Sequence, residues 1–319
     1  MKRVYLFISI FMLVTLACNA TLTVTPPTSQ APLPTNTMIP PTAAPTQILA
    51  SATSIPPTVT PTQIQPTAVP SAMPTQPRPP SSDGTTVSYG SVSLVLPSGL
   101  ANEISGSQVP RADSNDGAWW ALTPGHTQIN LDGYLLQGKF HKPQIFIYPA
   151  LDYAQMVPAA FEAIHRLDNI LANPGAGISS NQLPPVPFFN AQQVFASNIQ
   201  IVTFQSGRGV RFLAEYGQYP ASANNHDLFY QFQGLTSDGN YYIVAILPIN
   251  SSLLGESSDP ASAIPVGGVA YPNMGSATTA DWNNYYNAVT VQLNAQGPSD
   301  FVPTLNQLDL MIQSMKITQ

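Results

Sequence analysis

Four histidines, at 126, 141, 165 and 226, are the side chains best suited to proton transfer or metal binding, and they form neither a His-x-His pair nor an HExxH pattern. His165 stands three residues after Glu162 and beside Arg166 on a predicted helix, a spacing that suits surface pairing. His226-Asp227 is the one adjacent histidine and carboxylate, a candidate acid/base pair. Neighbours on a strand point to opposite faces, however, and the preceding Asn224-Asn225 predicts turn chemistry there. Asp113-Ser114-Asn115-Asp116-Gly117 has the oxygen-rich start of a calcium loop, but Ala118 takes the sixth position and Pro124 the twelfth, where glycine and glutamate belong. Gly207-Arg208-Gly209 lacks the third glycine of a dinucleotide loop, and no GxSxG elbow exists. Trp119-Trp120 offers aromatic faces to which sugar rings could stack, although a core or sheet-packing Trp with a partly exposed neighbour is the expected arrangement. No catalytic residue, cofactor site or metal site emerges, and the ligand-binding residues stay unknown at this level.

Charge narrows the partners. The 319 residues carry 10 Lys and Arg against 16 Asp and Glu, about 8% charged where soluble domains have roughly 25%. Nucleic-acid binding needs clustered cations to release counterions, so a chain of net charge −6 is a poor fit for it. Arg208 and Arg211, close together on one predicted hairpin, are the first candidates for any anion contact.

The elements that would position these residues lie between 85 and 319, where all 3 Trp, 12 of 13 Tyr and 11 of 13 Phe are found. Alternation predicts a strand over Val87 to Leu96, a pair over Thr127 to Leu131 and Tyr134 to Phe140 joined at Asp132-Gly133, and a strand over Gln144 to Tyr148 stopped by Pro149. Two hairpins follow. Ile199 to Gln205 turns at residues 206–209 into Val210 to Tyr216, and Leu228 to Leu235 turns at 237–239 into Tyr241 to Leu247. Helical spacing marks Ala159 to Ala172, opened by Pro158, then Thr279 to Ala295 and Pro303 to Met315. Hairpins with segregated helices predict an α+β fold, an antiparallel sheet flanked by helices. The stretch from Asn250 to Thr278 shows no obvious strand and is long for a compact domain, which marks it as a candidate recognition region.

The first 84 residues are different material. Met1-Lys2-Arg3 and the apolar run Val4 to Ala17 have the form of a secretory signal, too short for a confident permanent span. The run ends at Thr15-Leu16-Ala17-Cys18, and Cys18 is the only cysteine in the chain. This segment resembles the lipobox of bacterial lipoproteins: Ala17 fits the small position before the cut, Leu16 is tolerable, and Thr15 departs from the usual Leu, Val or Ile. The resemblance implies cleavage of residues 1–17, diacylation of the Cys18 sulfur and attachment to the extracytoplasmic face of a cell membrane. With Cys18 so used, no thiol is left for a disulfide, so the core alone must stabilise the domain.

Residues 18–84 then form the linker. Between Asn19 and Ser82 there are 16 Pro, 14 Thr, no aromatic residue and one charge, Arg78. This composition predicts a disordered tether, partly polyproline II, because it cannot bury enough apolar surface to offset chain ordering. Such a tether would reach about 200 Å when extended and about 45 Å as a coil.

Tyr89-Gly90-Ser91-Val92-Ser93-Leu94-Val95-Leu96-Pro97 and Leu308-Asp309-Leu310-Met311-Ile312-Gln313-Ser314-Met315-Lys316-Ile317 resemble the opening strand and closing helix and strand of PsbP-like domains. Those domains have a curved antiparallel sheet flanked by helices, and many are binding or assembly modules. The expectation is therefore a lipid-anchored extracytoplasmic protein with a non-catalytic binding or assembly domain, its partner an unidentified envelope protein or small ligand. A solute-binding transport receptor and an envelope hydrolase are the alternatives. The first should show alternating β and α units in two lobes, and the second a gathered nucleophile and base.

Overall fold

The computed structural model describes residues 83–113, 118–259 and 261–318. The signal segment, Cys18 and the expected linker as far as Ser82 lie outside them; Asp83 and Gly84, the last two residues of the expected linker, are described, and Gly84 already begins a strand.

Among the described residues, twelve strands and four helices build an α+β domain around a seven-stranded antiparallel sheet, in which strand order is β3-β4-β5-β9-β8-β7-β6. Its members are β3 (Glu103–Val109), β4 (His126–Asp132), β5 (Gln144–Pro149), β6 (Gln192–Phe204), β7 (Gly207–Gly217), β8 (Phe229–Thr236) and β9 (Tyr241–Pro248). A smaller sheet joins β1 (Gly84–Tyr89) and β2 (Val92–Pro97) to β12 (Lys316–Ile317), and β10 (Asn250–Ser251) pairs with β11 (Phe301–Val302).

Both faces of the large sheet are covered, and β9 shows the consequence in its sequence. Tyr242, Val244 and Ile246 enter one apolar cluster, while Ile243, Ala245 and Leu247 enter the other. A strand clothed on two sides has no polar face to display, so it is a continuous apolar run. Each fully buried side chain of this size contributes about 1.5–3 kcal/mol relative to exposure. One face carries α1 (Ala150–Met156) and α2 (Pro158–Ala172). The other carries α3 (Thr279–Ala295), α4 (Leu305–Ser314) and the β1-β2-β12 sheet.

The helices start where local chemistry permits. Pro158 occupies the first turn of α2, where its missing N–H costs nothing, and Ala160, Ala163, Leu167, Ile170 and Leu171 then follow at three- and four-residue spacing into the core. Thr278 opens α3 with a reciprocal box: its Oγ1 accepts from Asp281 N at 3.3 Å, and its N–H donates to the Asp281 carboxylate at 2.8 Å. Thr304 caps α4 by accepting from Gln307 N at 3.2 Å.

Four local expectations are corrected. The strand expected over Val87 to Leu96 is a hairpin, because Gly90 at φ 55° supplies a left-handed turn residue and Tyr89 pairs back on Val92. Residues 134–140 contain no strand. Gly133 does turn the chain at φ 64°, but β4 pairs instead with β3 and β5, leaving 134–143 to cross between strands. The turn expected at 206–209 is the pair Gln205-Ser206, since Phe204 already faces Gly207 and Gly207-Arg208-Gly209 begins β7. Pro149 ends β5 as expected but also opens a further helix, α1.

Candidate functional site

A groove of about 610 Å³ lies where the first residues of β6 meet the last residue of β7. Trp119, Phe189, Tyr219 and Tyr286 supply aromatic surface to its lining, and Asn190, Gln192, Gln193, Gln218 and Asn283 supply side-chain amides. Among the described residues, the lining contains no carboxylate, histidine, lysine or arginine. Trp119 and Trp120 meet edge to face at 5.5 Å in a short 3-10 turn and are 47% and 37% exposed. The core or sheet-packing role expected for one of them is therefore overturned. The turn stands outside the large sheet, so neither indole reaches the core. Tyr219 is 72% exposed.

Local structure fixes this surface. The β6–β7 register slips between Gln193 and Phe195, and the extra residue, Val194, lines the groove. Such a bulge bends the strand and re-aims the side chains beside it. The wall that bears Tyr219 is tied back by α3: the Tyr286 hydroxyl donates to Ala221 O at 2.9 Å and accepts from Ala221 N at 3.0 Å, and the Tyr285 hydroxyl accepts from Ala223 N at 2.9 Å. Gln218 Nε2 donates to Asn190 O at 2.8 Å, joining the two walls. Behind the groove, Phe189 stacks on His141 at 5.1 Å and meets Tyr216 edge to face at 5.1 Å. The site is thus preformed, which lowers the ordering cost of binding.

The residues singled out by sequence do not converge here. His226 and Asp227 belong to a turn in which Asn224 Oδ1 accepts from both their backbone N–H groups, at 3.0 and 3.1 Å, as turn chemistry requires. Because they are not on a strand, the opposite-face argument fails: His226 Nδ1 lies 2.6 Å from Asp227 Oδ1. The pair lies outside the groove lining. Arg166 pairs with Glu162 at 2.6 Å on the surface of α2, and His165 stacks on Phe161 at 6.0 Å. Of the acidic loop only Asp113 is described, paired with Arg111 at 3.0 Å.

Arg211 is not an anion contact. It is 4% exposed and bonded to Asp309, whereas Arg208, on the opposite face of β7, is exposed. The segment 250–278 is tied in place by Asn225, whose Nδ2 donates to Ser251 O and Leu254 O at 3.0 Å each. Its inner side encloses about 20 Å³ against Tyr285 and Val289, room on the scale of one water, and residues 269–277 line a separate open cavity of about 470 Å³ with α3. No residue of either cavity lines the Trp119 groove. Among the described residues, no group of three His, Cys, Asp or Glu side chains is placed to hold a metal ion.

Sequence reasoning missed two buried titratable groups near the groove. His141, packed against Phe140, Phe189 and Phe229, is pushed down to about 4 by burial, with Asp227 pulling up and His226 down. Glu215 is pushed well above 4.5 by burial, against the hydrogen bond from Asn224 N at 2.7 Å, while nearby Asp227 pushes it further up. Their effects on stability have opposite signs. His141 takes up its proton more readily when unfolded, so its contribution is full above pH 6.5 and falls away by about 3 kcal/mol as pH drops towards 4. Glu215 loses its proton more readily when unfolded, so its contribution is full below pH 4.5 and is lost as pH rises towards its folded value. Unfolding curves across pH should show His141→Phe moving the stability optimum to lower pH and Glu215→Gln moving it to higher pH. Shifts in the same direction would contradict the assignment.

Comparisons of the chain with protein-family models, curated proteins and solved structures give no match.

Proposed function

We propose that this chain is a lipid-anchored, extracytoplasmic binding protein whose domain presents the Trp119 groove to a ligand or envelope partner and performs no catalysis. The observation that carries this reading is the groove's lining: four aromatic rings and five amides, with no group among the described residues that titrates near neutral pH. A hydrolase requires an acid, a base or a nucleophile beside its substrate, and this lining offers uncharged recognition instead. The segments that resemble PsbP-like domains support a binding or assembly role of that kind, since β2 and β12 are paired and α4 packs on β2. Lipidation at Cys18 and the tether account for how such a domain would be held at a membrane yet clear of it.

Binding by aromatic and hydrogen-bonding contacts is weakly sensitive to salt. The affinity of the purified protein for a solubilised envelope fraction should change less than about threefold between about 50 and about 300 mM salt. A loss of about tenfold or more would contradict the reading and point to charged contacts, with exposed Arg208 the first to test.

A further inference from the structure

We propose that the ligand of the Trp119 groove is a neutral oligosaccharide, an inference that rests on the groove being the binding site. A sugar presents C–H faces that lie against aromatic rings and a rim of hydroxyl groups that both donate and accept. The groove offers the complement of each. Trp119 and Tyr219 expose large ring surfaces that pack into no core, and Phe189 and Tyr286 are half-buried beside them.

Around these rings, the side-chain amides of Asn190, Gln192, Gln193 and Asn283 make no hydrogen bond within the described protein. A primary amide carries two donors and an acceptor, and so can serve two adjacent hydroxyls at once. Four uncommitted amides beside exposed rings, on walls tied by Tyr286 and Gln218, form a surface that hydroxyls can satisfy and an apolar ligand would leave unpaired.

Charge removes the competing classes. A uronate, sulfate or phosphate ligand would enter a groove whose described lining has no cation to meet it, and a single-stranded nucleic acid would stack but find no partner there for its backbone. An amphipathic peptide helix would need a continuous apolar stripe, which five amides interrupt.

The test uses the whole purified protein and a panel of neutral hexose and N-acetylhexosamine oligosaccharides, with a polyuronate as the charged control. Calorimetry and tryptophan fluorescence give the affinity. Trp119→Ala and Tyr219→Ala, both at exposed positions, should each weaken binding by about tenfold or more, the loss expected for one stacked ring. Trp119→Phe and Tyr219→Phe should keep most of it, and unfolding midpoints should stay at the parent value, which separates lost contact from lost folding.

The same variants are then assayed against an envelope fraction treated with periodate or with protease. Groove-dependent binding that is destroyed by periodate and survives protease supports the saccharide. Groove-dependent binding that survives periodate and is lost to protease, or tighter binding of the polyuronate than of any neutral sugar, overturns the saccharide and leaves the groove as a binding site. Envelope binding that is unchanged in both alanine variants overturns the groove and the saccharide together.

Discussion

Arg211→Met is expected to cost about 3–5 kcal/mol of unfolding free energy, because it strands a buried carboxylate. Arg211 Nε donates to Asp309 Oδ1 at 3.0 Å and Nη2 to Oδ2 at 2.8 Å, so the fork grips both oxygens. Both residues are nearly sealed from solvent, at 4% and 7% exposure. The Tyr230 hydroxyl adds a third bond to Asp309, at 2.8 Å, and burial together with that carboxylate holds the phenol well above its ordinary range. Two of the three remaining guanidinium N–H groups are used as well, by Gln200 Oε1 at 2.6 Å and by the carbonyl of Asn198.

Asn198 sits at φ 52° within the second register slip of β6, a conformation asparagine tolerates better than most residues. The slip aims its carbonyl at Arg211, so the strand is shaped around the ion pair. The double variant Arg211→Met with Asp309→Leu should recover most of the loss, since removing both charges also removes the desolvation cost. Urea unfolding measures both. A single-variant cost below about 1 kcal/mol would mean that water reaches the pair and that it contributes no more than a surface bridge.

From the proposed anchor it follows that Cys18→Ala should move the protein from the membrane to the soluble fraction and abolish incorporation of labelled fatty acid. The effect should be close to all-or-none. Two or three acyl chains, at about 0.8 kcal/mol per buried CH₂, hold a protein on a bilayer stably, whereas one chain does so only marginally. Among the described residues no helix is long and apolar enough to cross a membrane, so the folded part offers no helical substitute. Label that persists in the variant would overturn lipidation. Membrane retention without label would point to an uncleaved apolar segment.

The sequence made the α+β class, the two late hairpins and three of the four helices legible, because in each case the apolar period was set by one buried face. Leu305, Leu308, Ile312 and Met315 are spaced for a helix and are all buried. What escaped was set by contacts rather than period. β3 is an edge strand of alternating exposed and half-buried residues, and its sequence, EISGSQV, carries almost no apolar signal. The ion pair escaped for the same reason. Arg211 and Asp309 are 98 residues apart, and nothing local distinguishes a buried arginine from an exposed one.

The groove was partly legible. Trp119-Trp120 stands out in the sequence, although a packed Trp is the arrangement expected there, and the amides that complete the site come from Asn190 before β6, from β6, from the 218–220 segment and from α3. Asparagine and glutamine are so common on this weakly charged surface that only their convergence marks them.

The pairing of β12 with β2 also sets an order of events in time. Val92 and Leu94 belong to the same buried cluster as Met311, Ile312, Met315 and Ile317, and Ser93 and Val92 pair with Lys316 and Ile317. A chain that emerges N-terminal end first presents β2 long before the helix and strand that cover it. Until the final turns of α4 are free, the first hairpin has a bare apolar side and an unfilled hydrogen-bonding edge. Closure of the domain therefore waits for α4 and β12, and a product cut short before residue 305 would carry that exposed side permanently.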